Sequence, residues 1–186
     1  MTKDQYGGDV ETARTSRKRS RRDAVNYAKS HTYNADYNPK YARIYDKNGN
    51  SNDCTNFVSQ ELWAEGWKMK TRFYRNSSHW WYAGNGWLPD TWSWSWSAAD
   101  NHRQSTKKAK RAKLVNSYRK MSPGDVLQID FGGNGVADHT AIVIEVTESN
   151  MYVAQHDIND AHRSYRMIRA RNPKSRWYLW HYSYGR

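Results

Sequence analysis

The second half of the chain contains short segments rich in apolar residues, some of which alternate apolar and polar residues with the period of two that is typical of β-strands. These segments predict strands over residues 125–131, 139–146, 151–156 and 176–182. Short turns containing glycine, asparagine or serine separate the first three, and strands joined by such turns pair antiparallel. This half of the chain is therefore predicted to form an antiparallel sheet.

The first half of the chain shows helical spacing instead. Val25 and Ala28 share one side of a predicted short helix. A second, amphipathic helix begins at Cys54, after the turn sequence of residues 48–52, and ends at Gly66, which suits a helix C-terminus. Helices that precede an antiparallel sheet indicate the α+β class.

Tryptophans cluster between the two halves. Trp92, Trp94 and Trp96 recur with a period of two, which predicts an extended segment with three indoles on one face. Exposed indoles can stack on sugar rings, so Trp80, Trp81, Trp92 and Trp94 are candidate substrate-binding residues. Core packing is the alternative, because a chain with 10 Trp, 14 Tyr and only 3 Phe must build part of its core from Trp and Tyr.

The length of 186 residues suits one domain with a proper core. Residues 1–22 have few large apolar side chains and a dense basic end, which predicts a flexible tail before a catalytic domain over 23–186. The net charge of +12 favours polyanionic partners, a class that includes nucleic acids, anionic lipids and anionic wall polymers. No apolar run has the length of a transmembrane segment, and no secretory signal is evident.

Cys54 is the only cysteine, which excludes an intramolecular disulfide and makes this thiol a candidate nucleophile. At a helix N-terminus, unpaired backbone N–H groups lower a thiol pKa and can hold an oxyanion. Asp53 is the expected N-cap, and the Asn52 side chain is a candidate second oxyanion donor. The alternative is a small buried thiol with a structural role.

A nucleophilic thiol needs a base, and the base needs an orienting partner. His139 opens the clearest strand and is the candidate base. His156 ends the partner strand within one or two ladder positions of His139, so it is the candidate orienting residue. A slip of one residue would bring Gln155 or Asp157 to that position instead.

Two metal sites are conceivable, but neither has a strong ligand spacing. His156, Asp157 and His162 could hold zinc, and an acidic set around the glycine turn of residues 130–138 could hold calcium. Turn formation explains the second set better. We therefore predict no metal and no cofactor.

Four short motifs occur in the order found in one known family: DCTNFVSQ at 53–60, GDVLQIDF at 124–131, DHTAIVI at 138–144 and AQHD at 154–157. Together they resemble the bacterial putative amidase domain family, a branch of the papain-like cysteine amidohydrolases related to CHAP and NlpC-type cell-wall hydrolases. The resemblance covers nearly everything from about residue 23 onward. It implies a papain-like fold in which the helix carrying the nucleophile packs on the antiparallel sheet.

The resemblance also implies roles for three residues: Cys54 as nucleophile, His139 as base and His156 as the third, polar residue. Asp157 is a supporting candidate beside them. The implied default activity is hydrolysis of amide bonds in peptidoglycan, by a protein that is secreted, wall-associated or delivered into a target cell. The implied partners are peptidoglycan or another anionic wall polymer, with an immunity or delivery partner conceivable and no specific nucleic acid.

Two alternatives remain at this point. The first is a delivered toxin that cleaves or deamidates a cytosolic protein with the same cysteine chemistry. The second is a non-enzymatic polyanion-binding protein, which the net charge and the interleaved aromatic residues favour. The sequence does not distinguish an amidase from an endopeptidase.

Overall fold

The computed structural model describes residues 21–70, 77–84 and 89–182, and residues 1–20 of the predicted tail, which spans 1–22, lie outside these ranges. Residues 21–31 form helix α1. Four further helices follow: α2 (Cys54–Ala64), α3 (Trp94–Ser97), α4 (Ala99–Lys108) and α5 (Tyr165–Arg171). Among the described residues, no helix combines the length and apolar character needed to cross a bilayer.

The strands of the described ranges form two antiparallel sheets. The small sheet pairs β1 (Tyr82–Ala83) with β2 (Thr91–Trp92). The large sheet has the order β3-β8-β4-β5-β6-β7. Its strands are β3 (Ala112–Val115), β4 (Val126–Asp130), β5 (His139–Val146), β6 (Met151–Gln155), β7 (Asp160–Ser164) and β8 (Arg176–Tyr182). The α+β prediction is confirmed.

Each face of the large sheet carries its own apolar cluster. Phe57, Val58 and Leu62 of α2 pack against one face, together with alternate residues of β4, β5 and β8. Tyr165 and Ile168 of α5 pack against the other face. The helix that begins at Cys54 and the basic helix α5 therefore lie on opposite sides of the sheet.

The first helix includes residues that the sequence assigns to the tail. The predicted boundary after residue 22 falls inside α1. Arg21 forms an ion pair with Asp125 at 3.0 Å and donates hydrogen bonds to the carbonyl oxygens of Pro123 and Tyr182. These contacts anchor the described part of α1 to the ends of two central strands.

The tryptophan-rich segment differs from its prediction. Trp94–Ser97 is a short helix, not an extended strand, and Trp96 is completely buried. Its indole N–H donates to the side-chain oxygen of Asn56 at 2.6 Å, so contacts with α2 override the local alternation. Trp80 and Trp81 are also buried, which contradicts their assignment as substrate-binding residues.

His102 of α4 is a buried group that makes stability sensitive to acid. It is 2% exposed, and neither ring nitrogen has a hydrogen-bond partner in the described part of the chain. Burial, reinforced by the charge of Arg111, lowers the pKa of this ring to about 3. In the unfolded chain this ring binds a proton near pH 6.5. The contribution of His102 to the free energy of unfolding is therefore fully present above that pH and is lost as the pH falls towards 3.

We expect His102→Leu to remove this acid sensitivity. Between pH 7 and pH 4 the wild-type chain should lose on the order of 3 kcal/mol of unfolding free energy through this group alone. Denaturant titrations at several pH values should therefore show a shallower decline for the variant, whereas the exposed-ring control His162→Gln should follow wild type. Parallel declines for His102→Leu and wild type would contradict the assignment.

Candidate active site

Cys54 is the first residue of α2, where the sequence predicts it, and it is 2% exposed. The next residue holds the helix against the sheet, because the Thr55 and Thr140 hydroxyl oxygens lie 2.8 Å apart. Thr140 belongs to β5 and directly follows His139. This contact brings the start of the helix to the start of the strand.

His139 lies beside the thiol and is held by Gln155. Nε2 of His139 donates a hydrogen bond to the side-chain oxygen of Gln155 at 3.1 Å. A ring nitrogen of His139, Sγ of Cys54 and a carboxylate oxygen of Asp157 all lie within 4.8 Å of one another. Because an amide oxygen only accepts, Nε2 carries the proton, and Nδ1 of the neutral ring is available as a base.

A register shift in the β5–β6 hairpin decides which residue reaches His139. Next to the turn, Val146 pairs with Met151. Beyond an irregularity between Val143 and Glu145, the register has moved by one residue, and Ile142 pairs with Ala154. A bulge of this kind exchanges the two faces of one strand relative to its neighbour.

The shift explains why Gln155 stands where the sequence predicts His156. Continuing the register of the turn would put His156 on the same face as His139. The extra residue on β5 puts Gln155 on that face instead and turns His156 towards α2. The prediction that His156 orients His139 is therefore wrong, and the alternative of a one-residue slip to Gln155 is the observed geometry.

His156 instead forms a buried pair beneath the site. Its Nδ1 lies 2.6 Å from a carboxylate oxygen of Asp53, and its Nε2 lies 2.8 Å from the carbonyl oxygen of His31. The ring stacks between Tyr37 and Phe57, with both centroid distances at 3.9 Å. Both ring nitrogens lie at hydrogen-bonding distance from acceptors on other residues, so neither is available to His139.

Asp53 is the N-cap residue of α2, as the sequence predicts, but its side chain makes other contacts. Its other carboxylate oxygen accepts hydrogen bonds from the backbone N–H of Ile44 and the side-chain amide of Asn56. The predicted N-cap bond to the helix itself is absent among the described contacts of α2. Asp53 therefore links the loop before Cys54 to the buried His156 ring.

The carboxylate of Asp157 lies at the N-terminus of α2 and accepts hydrogen bonds from the groups there. One carboxylate oxygen accepts from the Ser51 hydroxyl at 2.6 Å and from the Asp53 N–H at 2.8 Å. The other oxygen accepts from the Cys54 N–H at 3.3 Å. Asp157 is exposed and has a φ of 73°. The Asp157 carboxylate thus accepts from the Cys54 N–H, which the sequence predicts as an oxyanion donor. The positive end of the helix dipole favours negative charge at this position.

The electrostatics favour a neutral thiol in this geometry. Burial, with the charge of Asp157 beside it, raises the pKa of the Cys54 thiol to about 12. Burial also lowers the pKa of His139. The predicted lowering of the thiol pKa is therefore wrong for this geometry, because desolvation and Asp157 outweigh the helix N-terminus. Both shifts favour a neutral thiol beside a neutral imidazole.

The cluster of Cys54, His139 and Asp157 offers sulfur, nitrogen and oxygen donors, which are the ligand types that zinc accepts. A zinc ion bound there would occupy the thiol and the imidazole and would compete with any attack by the thiol. The zinc set considered from the sequence is not brought together. The ring of His156 is paired as described, and His162 pairs with Glu145 at 2.8 Å.

The remaining candidates take separate positions. Asn52 is exposed, and its backbone N–H donates to the carbonyl oxygen of Ile44, so the side chain stays only a predicted oxyanion donor. Trp92 is half-buried and stacks on Tyr82. Trp94 is 46% exposed and is the most accessible of the four candidate tryptophans.

Comparison with known families assigns this chain to one of them. A profile of the putative amidase domain matches residues 18–180. The chain belongs to the putative amidase domain family. Membership in this amidase family indicates an enzyme that hydrolyses amides, and Cys54, His139 and Asp157 lie together in this chain.

One similar protein is the uncharacterised protein YhbB of Bacillus subtilis, which is 33% identical to this chain over 150 residues. The match covers 77% of this chain but 44% of the relative, so the chain spans less than half the length of that protein. No solved structure gives a significant match.

We expect Asp157→Asn to make the Cys54 thiol of this amidase-family chain more reactive. The substitution keeps an acceptor for the backbone N–H groups but removes the negative charge that opposes thiolate formation. Removing a partly solvated charge at this distance should lower the thiol pKa by roughly one unit, which corresponds to about tenfold faster alkylation at pH 8. Intact mass after timed exposure to iodoacetamide measures this rate.

The matched control is Asp160→Asn, which removes a charge from the same turn region. This control should alkylate like the wild-type chain. An unchanged or slower rate in Asp157→Asn would mean that its carboxylate does not restrain the thiol.

Proposed function

We propose that this chain is a cysteine-dependent amide hydrolase that acts on peptidoglycan. Cys54 is the nucleophile, His139 the general base and then the general acid, and Gln155 the residue that orients His139. The observation that carries the proposal is the placement of the only thiol at the start of α2, beside the His139 imidazole, whose Nε2 is held by Gln155.

The proposed reaction starts from the neutral thiol and imidazole. Nδ1 of His139 takes the proton from Sγ as the sulfur attacks the amide carbonyl, which places the developing positive charge on the ring. The hydrogen bond from Nε2 to the Gln155 oxygen stabilises that imidazolium and keeps the ring in the productive tautomer. His139 then protonates the leaving amine, and water hydrolyses the thioester to regenerate the thiol.

The oxyanion requires a rearrangement at the Cys54 N–H. In the observed geometry this N–H donates to Asp157 at 3.3 Å, a long hydrogen bond. A tetrahedral intermediate would take this N–H as its donor, and Asp157 would then retain its shorter bonds to Ser51 and Asp53. Asp157 thus holds the site in a resting state until substrate displaces one of its three contacts.

The choice of substrate is supported by three features. The four motifs resemble enzymes that act on the bacterial wall, the basic surface suits an anionic wall, and Trp94 offers an exposed ring for sugar stacking. A papain-like relation is part of the proposal, since a cysteine at a helix start facing a histidine on a strand is the arrangement expected for it. Secretion, wall association or delivery into a target cell is proposed on the same grounds.

The direct test is digestion of purified peptidoglycan by the full chain. Mass spectrometry of the soluble products should show fragments that have gained one water for each amide cut, and the cut position identifies an amidase or an endopeptidase. Cys54→Ala is the blank. Identical fragment patterns with the two proteins would contradict the proposed activity on peptidoglycan.

The same preparation distinguishes the delivered-toxin alternative. Under that alternative, peptidoglycan stays intact. New termini or deamidated side chains instead appear in a bacterial or host protein extract, and only when the Cys54 thiol is present. Cleavage of peptidoglycan fragments by the wild-type chain would exclude a purely cytosolic target.

A further inference from the structure

A cleft lies on the side of the sheet that α5 covers, opposite the side that carries α2 and Cys54. It has a volume of about 650 Å³ and lies between α5 and the ends of neighbouring strands. Its walls include three arginines and three aromatic residues: Arg119, Arg166, Arg169, Tyr118, Tyr165 and Trp177. We refer to this surface as the arginine cleft. No residue that lines it is acidic.

The three guanidinium groups are held in place by neutral acceptors. Arg119 donates from Nε and Nη2 to the carbonyl oxygen of Glu148, at 3.2 and 3.1 Å. Arg166 donates to the carbonyl oxygen of Ser149 at 3.1 Å. Arg169 donates to the Tyr165 hydroxyl at 3.2 Å. Each group keeps further N–H donors for a ligand.

The positive charge of the cleft is not neutralised by its surroundings. Within the described ranges, none of the three arginines forms an ion pair with a carboxylate. The acidic residue Glu148 is adjacent in sequence to Ser149, which lines the cleft. Glu148 is exposed and lines a neighbouring shallow depression beside Arg119. Three fixed and uncompensated guanidinium groups in one cleft favour an anion with several oxygen acceptors, such as a phosphate group.

The aromatic residues argue against a site for nucleobases. Tyr165 is 3% exposed and meets Trp177 edge to face at 5.4 Å between centroids. Tyr165 is a buried member of the apolar cluster on this side of the sheet, and Trp177 and Tyr118 are partly buried and pack against that cluster, so all three rings serve the packing of the sheet. Single-stranded nucleic acid sites depend on aromatic rings with open faces for stacking. The cleft therefore suits the backbone of a phosphodiester polymer without bases.

We propose that the arginine cleft binds a polyol-phosphate polymer of the bacterial wall and so anchors the chain next to its substrate. The cleft lies across the sheet from Cys54, so the bound polymer is an anchor and not the hydrolysed group. The identity of the polymer rests on the proposed function, but the existence of the phosphate site does not. Binding is therefore tested in a variant that has no thiol.

The experiment uses the full chain with Cys54→Ala and purified poly(glycerol phosphate) as the probe, with affinity measured by calorimetry over a series of salt concentrations. Arg166→Gln with Arg169→Gln should weaken binding about tenfold or more at moderate salt. The same pair should reduce the slope of log K against log salt by about 1.4, the value for two lost phosphate contacts at the single-strand slope. Circular dichroism checks that the variants remain folded.

The matched control removes two charges elsewhere, at Lys47 and Lys107, both replaced by Gln. It should bind nearly as well as the parent chain. Equal weakening of both double variants would overturn the proposal, because binding would then depend on net charge alone. Tighter binding of an oligodeoxythymidine strand of equal charge, lost in the arginine variant, would overturn the choice of polymer and indicate a nucleic-acid site.

Discussion

Replacement of Cys54 by alanine is expected to lower kcat/KM for the hydrolysed amide by at least about four orders of magnitude. Without sulfur, no thioester forms, and the remaining groups offer only binding and electrostatic stabilisation. The side chain is small and buried, so Cys54→Ala should fold normally and lose little stability. Steady-state kinetics on an isolated peptidoglycan fragment measure the effect.

The control for this prediction is Thr106→Ala, a similar buried truncation on α4, away from the site. It should keep kcat/KM within a few-fold of wild type. Retention of wild-type activity in Cys54→Ala would make the thiol a structural residue and would contradict the cysteine mechanism.

His139→Ala is expected to lower kcat by about 10³-fold, because the thiol then has no neighbouring base and the leaving amine no proton donor. Gln155→Ala should have a smaller effect on kcat, since it removes only the group that fixes the His139 ring. The pH dependence should also change: wild-type activity should fall at low pH as His139 becomes protonated, and the residual activity of His139→Ala should lack that step.

His156→Phe distinguishes this account from the triad that the sequence predicts. The phenyl ring keeps the stack between Tyr37 and Phe57 but leaves one buried oxygen of the Asp53 carboxylate without its partner, which costs about 1 to 3 kcal/mol. We therefore expect a lower Tm and, well below that Tm, a kcat within about threefold of wild type. A loss of kcat as large as that of His139→Ala, without a change in Tm, would restore His156 to a catalytic role.

Apolar runs, alternation and turn residues were sufficient to predict the central strands. The bounds of β5 and β8 match the predicted ranges 139–146 and 176–182, and α2 begins at Cys54 as expected. The apolar run of β5 is buried on both faces, which leaves little freedom in its assignment. Strand β7 and helix α5 lie in a polar, basic stretch without clear periodicity, and their positions depend on contacts with β6.

The identity of the residue beside His139 could not be predicted from the pattern. It depends on one extra residue in β5, and a bulge has no reliable signature in a run as uniformly apolar as residues 141–144. The protonation state of the Cys54 thiol also could not be predicted from the sequence. Asp157 reaches the N-terminus of α2 only because the chain turns at a left-handed residue directly after the sheet, a feature of tertiary structure.

The central claim is that Cys54 becomes acylated during the reaction. The most direct measurement is intact mass after rapid acid quench of the wild-type chain with peptidoglycan fragments, followed by peptide mapping. The account predicts a transient adduct on Cys54 equal in mass to the acyl part of the cleaved fragment, and none in Cys54→Ala. Turnover of the fragments by both proteins without any adduct would contradict it.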